Sequence, residues 1–270
     1  MKASALLLAL LVPQPEQGMG FPHDASMDGH LIDWLINVTS IFVVILFVIM
    51  VVWMLYAAFK HNQSHTAEYD HGNSKHSVTV ALIISAVIFF VVDGNLYVNA
   101  IWDLSNAFWN HEDAEQMGQA IRIEINAHQW AWDARYAGPD GQFNTADDVV
   151  VLNDIRVPAG TPVLIQLAST DVIHSFYLPN FRIKQDAMPG MINRLWFRAK
   201  PTEAGNDYDI ACAQHCGVNH YKMKGTLSIL SKEDFAKWLA EQSGLSARAY
   251  DPNDKEAHWG WAWKKAKEEI

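Results

Sequence analysis

The sequence predicts a chain of two parts, a hairpin of two membrane-spanning helices followed by an all-β sandwich. Three observations carry that reading. Residues 41–59 form a run of 19 residues without a charge, and residues 77–92 form a second apolar run that resumes through Leu96, Val98 and Ile101. Beyond Ile121, short segments of alternating polarity recur as far as Leu230 with turn signals between them.

Lys2 and the apolar run over residues 5–12, broken by Pro13, have the charge and length of an export signal over residues 1–20, with retention as a short tail as the alternative. Residues 21–103 hold the hairpin, with spans at about 38–60 and 77–102. At about 1.5 Å per residue, 19 residues cross roughly the 30 Å hydrocarbon layer. Lys60 and Lys75 flank the connecting loop, whereas no Lys or Arg lies between Ala3 and Ser40 or between Asp93 and Ile121. Basic residues collect on the cytoplasmic side, so the loop is expected inside and the large C-terminal part outside. His61, His65, His71 and His76 in the loop read as solvated surface rather than as a metal site. Asp93 falls near the outer interface, where a carboxylate points to contact with a neighbouring subunit.

Residues 104–120 read as a linker, acidic from Asn110 onward. Ile121, Ile123 and Ile125 then alternate with Arg122, Glu124 and Asn126, a half-buried strand. Further strands are expected over 149–157, 163–168, 195–197, 208–212 and 227–230. Gly138-Pro139-Asp140-Gly141, Pro158-Ala159-Gly160 and Pro189-Gly190 supply turns. Ser231 with Asp234 three residues on is close to a capping box, opening a helix to about Gln242. Residues 243–270 form a tail ending in an aromatic and basic cluster from His258 to Lys265. Asp140, Asn144, Asp147 and Asp148 could bind calcium, but a solvated hairpin is the preferred reading.

The chemistry concentrates in Cys212-Ala213-Gln214-His215-Cys216-Gly217-Val218-Asn219-His220-Tyr221-Lys222-Met223, which holds the only two cysteines. Thiolate, imidazole and thioether are the ligand set of copper electron-transfer sites. Two thiolates shared between two metals let each keep about four ligands, so a binuclear copper centre is the natural reading. His174 is the best candidate for the second imidazole. Zinc remains an alternative, although structural zinc pairs usually come as cysteines two residues apart and need no methionine. A Cys212–Cys216 disulfide would leave His220 and Met223 unexplained. Strand parity puts Tyr208, Ile210 and Cys212 on one face, which aims Cys212 into the end of the sandwich. A net charge of −10, from 30 acidic and 20 basic residues, argues against nucleic acid and for a basic partner.

The loop resembles the CuA loop of cytochrome c oxidase subunit II. So do Asp171-Val172-Ile173-His174-Ser175, Lys184-Gln185-Asp186-Ala187-Met188-Pro189-Gly190 and His128-Gln129-Trp130-Ala131-Trp132, in the family's order; the likeness covers about residues 21–242. The resemblance implies a cupredoxin-like Greek-key sandwich over residues 121–242. It implies that Cys212 and Cys216 bridge two copper ions, that His174 and His220 each hold one, that Met223 is a weak axial ligand and that Gln214 offers its backbone carbonyl. It also implies electron entry at Trp130 from cytochrome c and docking of that donor near Asp171 and Asp186. The expected partners are haem-copper oxidase subunit I and subunit III, in a bacterial cell membrane with the copper domain on the periplasmic side. The family usually has glutamate where Gln214 stands, and its side chain helps bind an interface magnesium; here that ion is expected to be weak or absent. The rival function is a membrane-anchored copper carrier or sensor. With no haem-attachment motif and no second histidine cluster in the spans, oxygen reduction itself would need a partner.

Overall fold

The computed structural model describes residues 20–66, 69, 71–117 and 120–249. The export-signal reading, apart from Gly20, and the tail cluster beyond Ala249 lie outside the described residues. The chain divides into two compact units, Leu31–Asn106 and the residues on either side of it.

Within Leu31–Asn106 the chain is almost wholly helical. Helix α1, Gly29–Lys60, is 32 residues long and ends on Lys60. It starts about nine residues before the expected span at about 38, because the backbone of residues 29–37 continues the turn although its side chains are mixed. Ser74 caps the second helical run by accepting from Ser77 N at 3.1 Å. That run comprises α2 (Lys75–Val87), a π-helical turn (Ile88–Asp93) and α3 (Gly94–Asp103). The polar Asp93-Gly94-Asn95 interruption does not break the helix; it falls where the wider turn hands over to α3. Both runs are long and apolar enough to cross a membrane. His61 pairs with His65 and His71 with Tyr69 through their rings, and all four loop histidines are exposed.

The second unit is a sandwich of two five-stranded sheets, β3-β2-β1-β5-β8 and β4-β10-β9-β6-β7. The strands are β1 (Ile121–His128), β2 (Ala131–Tyr136), β3 (Val149–Leu152), β4 (Asp154–Pro158), β5 (Pro162–Ser169), β6 (His174–Leu178), β7 (Ile183–Ala187), β8 (Asn193–Arg198), β9 (Asp207–Cys212) and β10 (Lys224–Leu230). Period-two residues fill the space between the sheets: Ile123 and Ile125 from β1, Trp132 from β2, Ile165 from β5, Phe176 from β6 and Ile229 from β10. The parallel pairings β1·β5 and β4·β10 among otherwise antiparallel ones fit a cupredoxin-like Greek key.

Residues 149–157 are two strands, not one. They part at Asn153, whose φ of 57° turns the chain from one sheet to the other. Asparagine tolerates that left-handed conformation, and its side-chain oxygen accepts from Trp132 N at 2.8 Å. The residues before β1 are more than a linker. A π-helical turn (Leu104–Phe108) is followed by α4 (His111–Gln116), capped by Asn110. Ala114 of α4 packs on Leu164 and Trp196, covering the outer face of the first sheet. That cover explains why all eight residues of β5 are buried. Ser231 caps α5 (Lys232–Ala249), its Oγ accepting from Asp234 N at 3.0 Å. The helix runs past Gln242 because one glycine, Gly244, costs only about 1 kcal/mol and does not by itself stop a helix.

The segment ahead of α1 also joins this unit. Ser26 pairs antiparallel with Ala199 at the edge of β8, and Ala25 is fully buried. Lys200 binds Asp24 at 2.9 Å, and buried Glu203 accepts from His23 and Asn206, each at 2.9 Å, and from the Tyr208 hydroxyl. Burial alone would raise the Glu203 carboxyl, but these donors outweigh it and hold it at about 2. A carboxylate depressed in the folded state adds stability that is complete above its unfolded value of 4.5 and fades as pH falls toward about 2. We expect Glu203→Gln to cost roughly 1.5–3 kcal/mol at neutral pH. The gap from the parent should close over that acid range when unfolding is measured at each pH.

Candidate metal centre

The site forms where two neighbouring strands reach the same end of the sandwich. His174 opens β6, which pairs with the end of β9 through Phe176 and Cys212. Ala213 N donates to Ser175 O at 2.9 Å, so the chain leaves β9 still fastened to β6. It then makes a tight loop with a 3-10 turn at His220–Lys222, and Cys212 N donates to Met223 O to close the loop before β10 begins. The sequence placed His174 over the loop from elsewhere in the sandwich; the structure puts it on β6, the strand beside β9 in the same sheet, two residues before Phe176, the partner of Cys212.

The donor atoms converge. Cys212 Sγ lies 3.7 Å from Cys216 Sγ and 4.0 Å from His174 Nδ1. Met223 Sδ is 3.1 Å from His174 Nδ1 and 3.7 Å from Cys216 Sγ. His220 Nδ1 is 3.5 Å from Cys216 Sγ, and the Gln214 carbonyl is 3.2 Å from Cys212 Sγ. Both imidazoles therefore present Nδ1 to the thiols. His174, Cys216 and Met223 are buried and Cys212 partly so. Among the described residues, His174, Cys212 and Cys216 are the one group of three or more His, Cys, Asp or Glu side chains close enough together to hold a metal ion. In the 138–148 hairpin the oxygens bind within the chain, Asn144 Oδ1 accepting from Arg135 Nη1 at 2.7 Å and Asp148 Oδ2 from Asn144 N at 2.8 Å. The two cysteines are free thiols.

The electrostatics suit a cation. Burial raises the Cys212 thiol, but hydrogen bonds from His174 and from the backbone at Ser175 and Gln214 outweigh it and bring it down to about 6. Burial and the adjacent Cys212 push Cys216 up to about 12. One thiolate thus forms near neutrality and the second needs positive charge beside it, so metal binding releases protons. Burial opposes charge on His174, yet hydrogen bonds to Cys212 and Asp171 raise it above its ordinary value. The donor set, two thiols with imidazole, thioether and carbonyl, fits copper. Gln214 presents an exposed neutral amide, and a hard dication favours charged oxygen.

The surrounding residues divide clearly. Trp130 is half-buried and its Nε1 donates to the Cys216 carbonyl at 3.1 Å. Trp132 is fully buried, edge-on to Phe176, and belongs to the core. Asp171 has both oxygens engaged, Oδ1 by His174 Nε2 at 2.8 Å and Val172 N at 2.6 Å, Oδ2 by Gln129 N at 2.6 Å. Although burial raises it, those donors lower its carboxyl. Asp186 is exposed on β7. Gly217 has a φ of 116°, and a Cβ there would lie 2.8 Å from Gln129 Nε2 and 3.2 Å from Trp130 Cζ2. Glycine is required both for the conformation and for the close approach. The bond network of Gln129 and Asp171 escaped the sequence; the adjacency of Gln129 to Trp130 was its only signal.

Residues 121–229 match the family model described as cytochrome c oxidase subunit II, periplasmic domain. The chain is 30% identical over 244 residues to the alternative cytochrome c oxidase subunit 2 of Bradyrhizobium diazoefficiens, covering 80% of this chain and 83% of that one. The chain belongs to the cytochrome c oxidase subunit II family. It is 24% identical over 265 residues to cytochrome c oxidase subunit 2 of Cereibacter sphaeroides, covering 86% of this chain and 82% of that one. Among solved structures it is similar to the periplasmic domain of subunit II of cytochrome oxidase from Bradyrhizobium japonicum. There the identity is 26%, 46% of this chain and 94% of that one are covered, and the TM-score is 0.41. As a subunit II, the chain is a membrane protein and part of a haem-copper oxidase complex. An electron-transfer role and copper binding follow from the family.

Proposed function

We propose that this subunit II holds a binuclear copper centre that takes electrons from cytochrome c and passes them to the haem-copper catalytic subunit. The complex would reduce oxygen there and pump protons. The thiols of Cys212 and Cys216, Nδ1 of His174 and of His220, the Met223 thioether and the Gln214 carbonyl would hold the two ions. The observation that carries the reading is the convergence of two thiols 3.7 Å apart with two Nδ1 atoms and a thioether in a largely buried pocket. A carrier or sensor gains from exposed, exchangeable ligands; here His174 and Met223 are at most 1% exposed. A copper pair supplies one-electron redox chemistry with charge shared over both ions. The protein's part is to hold the ligands in place so that little rearranges when an electron arrives.

Trp130 is the entry point in this reading, because its indole is half-exposed on one side and bonded to the Cys216 carbonyl on the other. Asp186 steers a basic donor by charge. Asp171, with its oxygens engaged, contributes to docking only through its field. The two helical runs anchor the chain in a bacterial cell membrane, with Lys60 and Lys75 on the cytoplasmic side, the sandwich outside and subunits I and III as neighbours. Metal analysis with electron paramagnetic resonance on the assembled complex tests the proposal. It should give two coppers per chain sharing one unpaired electron. A single zinc, or a single copper with a four-line spectrum, would overturn it.

A further inference from the structure

One residue beside Trp130 touches both halves of the site. Gln129 Nε2 donates to the Cys216 carbonyl at 2.8 Å, which reaches the loop. Its backbone nitrogen donates to Asp171 Oδ2 at 2.6 Å, and Asp171 Oδ1 accepts from His174 Nε2 at 2.8 Å, which reaches the neighbouring strand. The side-chain arm has room only because Gly217 leaves out a Cβ that would stand 2.8 Å from Gln129 Nε2.

We propose that Gln129 is a positioning residue for the copper centre, holding the Cys216 loop at a set distance from His174 through this bracket. The inference rests on the copper reading above and deepens it. An imidazole that binds metal through one nitrogen is fixed in tautomer and orientation when the other donates to a carboxylate. Asp171 does this for His174, and the Gln129 N–H in turn fixes the carboxylate. The Cys216 carbonyl accepts from both Gln129 Nε2 and Trp130 Nε1, so the peptide following this thiolate cannot rotate without losing two hydrogen bonds. Ligand separations are then set by the protein, as low reorganisation on electron transfer demands.

The test uses the assembled complex carrying Gln129→Glu, which keeps the shape of the side chain and removes its donor, and Gln129→Met, which does so without charge. Asp171→Asn probes the other arm. Each should lose copper to a chelator about 10-fold faster than the parent, with altered copper hyperfine splitting and near-infrared absorption. Combining Gln129→Met with Asp171→Asn should accelerate copper loss by less than the product of the single effects, because both open one bracket. Unchanged copper loss and spectra in both Gln129 variants, in a background where the parent holds a copper pair, would overturn the inference. A parent without that pair would overturn the functional reading instead.

Discussion

Replacing Cys216 by serine is expected to abolish the copper pair and to slow electron uptake from cytochrome c by about 100-fold or more. The magnitude rests on scale: loss of an outer partner of a ligand typically costs 10–100-fold, and Cys216 is itself a donor with three others close to it. Its sulfur lies 3.7 Å from Cys212 Sγ, 3.5 Å from His220 Nδ1 and 3.7 Å from Met223 Sδ. A serine hydroxyl is a hard donor that stays protonated at neutral pH, so it neither attracts copper nor bridges two ions. Copper content, the near-infrared band and turnover with reduced cytochrome c measure the effect together. Undiminished turnover with a single copper would sink the bridging role. The sandwich should still fold, since the cysteine sits at its end and not in the hairpin and strand pairings that build it.

Arg135→Ala is expected to have the largest effect on stability, about 3–5 kcal/mol. Arg135 is 1% exposed, with Glu124 at 3.9 Å and Asp148 at 3.7 Å, and its Nη1 donates to Asn144 at 2.7 Å. Truncation leaves carboxylates behind in a place that water does not reach. Burial already raises the Asp148 carboxyl and Arg135 partly offsets this, so removing the guanidinium should raise it further. A group raised in the folded state destabilises more as pH climbs above its ordinary value, so the gap from the parent should narrow on acidification. Denaturant unfolding of the full chain in detergent, followed by tryptophan fluorescence across pH, measures both. A gap independent of pH would mean that lost packing, not stranded charge, dominates.

The candidate ligands were legible because their chemistry is local: residues 212–223 put two thiols, two imidazoles and a thioether within a dozen positions, and no packing alternative explains that set. Their surroundings were not. Strands β2, β6 and β7 escaped the alternation test for a physical reason. In β2, Trp132, Ala134 and Tyr136 do alternate with Asp133 and Arg135, but over a strand of only six residues. In β7, Lys184-Gln185-Asp186 leaves too little apolar signal between Ile183 and Ala187. The segment 24–28 gave no sign that it would pair at the edge of β8, because edge pairing is made by backbone groups that every residue carries.

Asp171 shows the limit most plainly. By type and position it could steer a basic donor or hydrogen-bond the loops; the structure shows its carboxylate accepting from His174 and from the Gln129 backbone. Sequence alone determined the two apolar runs, the all-β class of the C-terminal part and the place of the candidate metal loop, since hydropathy, periodicity and ligand chemistry are properties of residues taken a few at a time. Only the tertiary structure decided that β6 lies beside β9, that Gln129 reaches Cys216 across 87 positions and that Gly217 clears its path. Hydrogen-bond direction and close approach depend on strand pairing between distant segments, and that pairing leaves no mark on either segment by itself.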